Sequence, residues 1–145
     1  MSFPLPPIIR QAERLLLEIE KAVRSFPRYH KYACGAQLRA QALAVCTLAH
    51  RAWRRQQQRA KLIVELIFAI DDLKLLMQLG SRLRAFASFG QFEMLSRIAV
   101  DLGKQAGGWR RQHPQTIQNA DAGTAHPQRD QILSTPAASL VEANA

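Results

Sequence analysis

From Tyr32 to Phe86 nothing in the chain must break a helix, and apolar side chains recur along it at steps of three and four. As a single helix this span would measure about 80 Å, too long for a domain of this size. A turn is therefore required within it. The polar cluster Arg54-Arg55-Gln56-Gln57-Gln58-Arg59 is the interruption able to hold that turn.

The rest of the chain follows the same period. Pro6 and Pro7 suit a first helical turn, and Ile9, Ala12, Leu16, Ile19, Val23 and Phe26 follow at helical spacing, predicting a helix over about residues 8–25. Ser25-Phe26-Pro27 ends it, because proline disfavours a helical residue before it and has no N–H to donate. A second helix carries Cys34, Leu38, Ala42, Val45 and Ala52 on a narrow, alanine-rich face that permits close approach. A third, over about residues 60–86, carries Leu62, Leu66, Ile70, Leu73, Met77 and Leu83. Between Leu62 and Ile70 it is apolar nearly all round. It should be central in the bundle, or meet another subunit with a second face. Ser88 can cap a fourth helix through Phe92, Leu95, Leu102, Ala106 and Trp109, which Gly107-Gly108 should end or fray just before Trp109. From residue 112 the text turns to scattered Pro, Asn, Asp, Gly and Thr without a period, and residues 112–145 read as a disordered tail. The expected fold is all-α: an antiparallel up-and-down four-helix bundle over residues 1–111, joined by short loops.

Charge gives the first functional signal. Between Glu20 and Glu65 lie 44 residues with no acid and ten bases, from Lys21 to Lys61. Such a run repels itself unless an outside polyanion neutralises it. Residues 1–111 hold 19 bases and eight acids, whereas residues 112–145 hold one base and three acids, so the positive field belongs to the bundle. Arginine outnumbers lysine 15 to 5, and a guanidinium forks onto two phosphate oxygens where an ammonium acts as a point charge. Arg51, Arg55 and Arg59 step by four and should share a stripe flanked by Arg54 and Lys61. Arg82 and Arg84, like Arg110 and Arg111, are cations near helix ends, where compensation of the helix dipole is a competing explanation. Arg28, His30 and Lys31 sit at the entrance to the second helix, where a cation opposes the dipole. His30 and Tyr32 could instead pack against the first helix to fix the turn. Trp53, amid Arg51, Arg54 and Arg55, is suited to stacking on a base or to a subunit interface.

Other chemistry is poorly represented. The two cysteines, Cys34 and Cys46, lie in apolar helical patterns and point to packed thiols in a reducing cytoplasm. His30 with Cys34 and Cys46 with His50 have a two-ligand spacing, but the pairs stand about 24 Å apart along a helix and a structural zinc needs four ligands, so no metal is expected. Asp71 and Asp72 point about 100° apart on a helix and make no catalytic dyad. A salt bridge to an arginine of the first or second helix, or of a neighbouring subunit, is the expected role. No nucleophile–base constellation or phosphate-binding glycine loop occurs, so no enzyme and no cofactor are expected. No signal peptide is read at the N-terminus, and the most apolar stretch is too short to span a bilayer.

The string Phe26-Pro27-Arg28-Tyr29-His30-Lys31-Tyr32-Ala33-Cys34-Gly35, with Asp101-Leu102-Gly103-Lys104-Gln105-Ala106-Gly107-Gly108-Trp109 at the end of the last helix, resembles the accessory variability determinant (Avd) proteins of diversity-generating retroelements. It is similar also to the broader group of small four-helix proteins encoded by intervening sequences in bacterial 23S ribosomal RNA genes. The resemblance covers residues from about 8 to 111. It implies a ring-like homopentamer with a positive surface that associates with the reverse transcriptase and with template RNA or cDNA, without catalysis of its own, during mutagenic copying. The binding surface is then expected at Arg28, Lys31, Arg51, Arg54, Arg55 and Arg59, with Arg82 and Arg84. The alternative is a structural module of the intervening-sequence type that self-assembles through apolar faces and binds protein only.

Overall fold

In the computed structural model, which describes residues 4–114, the chain forms four long helices, one helical turn and one 3-10 turn. These are α1 (Pro7–Arg24), α2 (Arg28–Lys31), α3 (Cys34–Arg54), the 3-10 turn (Gln56–Gln58), α4 (Arg59–Arg82) and α5 (Phe89–Gln112). The expected tail over residues 112–145 lies outside the described residues from 115 onward, and residue 112 is the last of α5. Each long helix packs on the next, and α5 closes on α1, which gives the expected antiparallel up-and-down bundle.

Local chemistry explains the boundaries. Pro6 accepts from the amides of Ile9 and Arg10 to open α1 with Pro7 at its first position. At its end the Ser25 hydroxyl donates to the Ala22 carbonyl at 2.9 Å. Gly35 lets α3 approach α1: a Cβ there would stand 2.8 Å from a Val23 methyl. Ser88 caps α5 as expected, its hydroxyl accepting from the Gln91 amide at 3.1 Å, while the Gln91 carboxamide oxygen accepts from the Ala87 amide at 3.1 Å.

Two ends differ from expectation. Helix α4 stops at Arg82, four residues early, because Arg84 adopts a left-handed conformation with φ 57°. The Ala85 amide then bonds the Gly80 carbonyl at 2.9 Å and the Arg84 amide bonds the Ser81 carbonyl at 3.0 Å, a Schellman closure built without glycine. That reversal buries Ala85 fully and lays Phe86 against Gly80. Helix α5, in turn, continues through Gly107-Gly108 to Gln112, because Ala106 is buried and Trp109 packs on the core on the far side of the glycines.

The core runs the length of the bundle through Ile9, Leu15, Ile19, Leu38, Leu66, Leu73, Leu95 and Leu102, all essentially fully buried. Each such side chain contributes about 1.5–3 kcal/mol on burial. Helix α4 is not central. It occupies one corner, and Phe68 (62% exposed), Leu75 (54%) and Leu79 (43%) lie along its outer side, followed by Leu83 (51%) at its C-cap, so its all-round apolar character is not absorbed by the bundle itself. Asp71 and Asp72 are also exposed on α4, and neither pairs with an arginine of α1 or α3. No described helix is long and apolar enough to cross a membrane.

Candidate nucleic-acid interface

The eight expected contact residues do not form one patch. The up-and-down order brings the end of α3, the start of α4 and the end of α5 together at one pole of the bundle. It brings α2, the end of α4 and the start of α5 together at the other. Arg51, Arg54, Arg55 and Arg59 therefore lie at the first pole and Arg28, Lys31, Arg82 and Arg84 at the second, separated by the length of α4, about 36 Å.

At the first pole the backbone breaks the expected stripe. Arg55 leaves the helix at φ −102°, ψ 84°, its amide still bonded to the Arg51 carbonyl at 2.9 Å, and the 3-10 turn follows. Arg59 then begins α4 and folds back. Its Nε donates to the Ala52 carbonyl at 2.8 Å and its Nη2 to the Trp53 carbonyl at 2.6 Å, with the guanidinium 5.9 Å from the centre of the Trp109 ring. The carbonyls it satisfies are among those left without partners where α3 ends. Arg59 thus closes a helix, and Arg51, Arg54 and Arg55 are the exposed cations of the turn. Exposed Lys61, Arg110 and Arg111 stand at the same pole, and residues 51–64 and 102–114 contain no acid. Trp53 is half-buried and packs against the core rather than standing free.

At the second pole α2 is a separate turn, so Arg28 and Lys31 precede the start of α3 instead of occupying its first turn. Arg28, Arg82 and Arg84 are exposed and Lys31 half-buried. Tyr32, one of two residues that could have packed against the first helix, is 75% exposed, and Tyr29 is 85% exposed with its ring edge-on to His30 at 5.2 Å. Sequence reasoning passed over Tyr29 and over Phe89, which is 71% exposed. The alternation of tyrosines with bases in Arg28–Lys31 and Tyr32 was the available signal, since a stacking platform needs both. Beneath these residues the core is closed by Phe26 and Phe86, whose rings meet edge-to-face at 5.0 Å, and by Phe92.

None of the eight residues forms an ion pair with a described acid. Among the described residues the pairs present are Lys21 with Glu18 on α1, Arg39 of α3 with Glu20 of α1, and Arg97 with Glu93 on α5, and His50 Nε2 is hydrogen-bonded to Glu13 Oε1 at 3.0 Å. The two thiols also fall apart as ligand partners of one helix in the first case: His30 belongs to α2 and Cys34 to α3. Burial pushes both Cys34 and Cys46 up from the ordinary thiol value, and at Cys46 the Glu13 carboxylate adds to the shift.

These observations define a four-helix bundle with acid-poor, arginine-bearing poles. Compared with models of known protein families and with curated proteins, the chain matches none.

Proposed function

We propose that this chain is a non-catalytic accessory protein of a diversity-generating retroelement, binding the reverse transcriptase and template RNA or cDNA through its basic poles. The observation that carries this reading is the set of exposed arginines Arg51, Arg54 and Arg55, which have no acidic partner among the described residues, at a pole where residues 51–64 and 102–114 hold no Asp or Glu. The resemblance at Arg28, His30 and Lys31 supplies the particular system. Such a surface holds phosphates without reading bases, so affinity is sequence-independent and steeply salt-dependent. Tyr29 and Tyr32 suit stacking on unpaired bases, which fits a single-stranded template.

The test is a salt titration of binding to a single-stranded RNA. Each phosphate contact contributes about −0.7 to the slope of log affinity against log salt. Reversing Arg51, Arg54 and Arg55 to Glu should flatten that slope by about 2 and prevent capture of a reverse transcriptase encoded at the same locus. An unchanged slope together with unchanged capture refutes the reading.

A second reading is favoured by the exposed row Phe68, Leu75 and Leu79 on α4, continued by Leu83 at its C-cap. In it the chain is a structural module of the intervening-sequence type that assembles through this face and binds protein only. Both readings make the protein a homo-oligomer, and the resemblance implies a pentamer. Oligomeric mass that persists in high salt, with no RNA binding at low salt, selects the second reading.

A further inference from the structure

Between α1 and α3, in the half of the bundle nearer the Arg51–Arg59 pole, three side chains with different donor atoms converge. Cys46 and His50 stand one helical turn apart on α3, and Glu13 of α1 faces them. One ligand atom from each (Sγ, a ring nitrogen and a carboxylate oxygen) lies within 4.8 Å of the other two. Glu13 Oε1 and His50 Nε2 are already 3.0 Å apart. Tetrahedral zinc with its usual bond lengths holds neighbouring oxygen, nitrogen and sulfur ligands about 3.4–3.6 Å apart, so small side-chain adjustments bring the three onto one ion.

We propose that Glu13, Cys46 and His50 form a binding site for a thiophilic divalent cation of the zinc class. The donor set selects this class. Magnesium and calcium take oxygen ligands, whereas a thiolate, an imidazole and a carboxylate together suit zinc. Charge also balances: a dication meets one thiolate and one carboxylate, leaving the site neutral in a protein that is otherwise strongly basic. Binding displaces the Sγ proton to solvent, leaves the ring proton of His50 on Nδ1 rather than Nε2, and replaces the Glu13–His50 contact with two metal bonds. Access is open on one side, since Glu13 and His50 keep 40% and 29% of their side-chain surface in solvent while Cys46 is 7% exposed. The fourth position faces that solvent, to be completed by water. The ion would join α1 to α3 in the half of the bundle nearer the first pole, where sequence spacing alone offers only the two α3 ligands.

Titration of the reduced, tag-free full chain with Co²⁺ tests the site, because a cobalt–thiolate bond produces a charge-transfer absorption that oxygen and nitrogen ligands do not. The expected result is one Co²⁺ per chain with that absorption, displaced by Zn²⁺. It should be lost in Cys46→Ser and retained in Cys34→Ser. His50→Gln and Glu13→Gln, both nearly isosteric and on the open side of the site, should weaken cobalt binding about tenfold or more. Should Cys46→Ser fail to fold, as judged by circular dichroism, those two variants carry the test. Absence of the thiolate absorption in the unaltered chain overturns the site, as does its persistence in Cys46→Ser. Unchanged affinity in both His50→Gln and Glu13→Gln overturns it equally.

Discussion

At the α3–α4 pole the core is closed by a cation, whereas at the α2 pole it is closed by phenylalanines. Arg59 turns back onto the last carbonyls of α3 and lies over Trp109, beside the small apolar group Ala52, Leu62 and Ile63. At the opposite pole Phe26, Phe86 and Phe92 seal the helix ends, and the bases there are left outside. The comparison teaches that an arginine in a basic cluster need not belong to the binding surface. Arg59 and Arg55 differ little in sequence context, yet one bonds the backbone and the other faces solvent.

Truncation should expose the difference between the poles. Phe26→Ala removes a ring that is 4% exposed and in edge contact with Phe86, and is expected to cost about 3–5 kcal/mol in urea unfolding. Arg59→Ala should cost about 1–3 kcal/mol, through two lost charge-assisted bonds to carbonyls and the contact with Trp109, and Arg59→Lys should recover only part of it. If Arg59→Ala is neutral for stability but weakens RNA binding as much as Arg55→Ala does, the proposed division of labour at that pole is broken. A smaller effect of opposite sign is expected at the second pole. Arg84→Gly relieves a left-handed residue at φ 57° and should stabilise by about 0.5–1 kcal/mol, read as a higher urea midpoint at unchanged m. Smallest of all, reversing exposed Arg51, Arg54 and Arg55 should change stability by no more than about 0.5 kcal/mol, which separates their role from that of Arg59.

Much of the fold was legible because its signals are local. The steps of three and four in α1, Pro27 after it, the Arg54–Arg59 interruption and the Ser88 cap each act within a few residues, and each lies where expected. The early end of α4 was not legible, since Arg84 carries no glycine signature for its left-handed conformation. That conformation accompanies the burial of Ala85 and the packing of half-buried Phe86 on the core, which is tertiary. The run of α5 through two glycines fails as a local prediction for the same reason: Trp109 is anchored by contacts with other helices. Of the candidate interface, the basic character was visible in sequence, but its division between two poles was not, nor was the exposure of Tyr29 and Tyr32.

The sequence by itself determined four amphipathic helices, their order and the sign of the field they carry, because periodicity, caps and charge are properties of neighbouring residues. Only the tertiary structure decided which guanidiniums remain free, which face of α4 stays uncovered and that Glu13 meets Cys46 and His50. Each of those outcomes depends on residues from different helices meeting across the bundle, and the packing angles and registers that bring them together are set by the core as a whole.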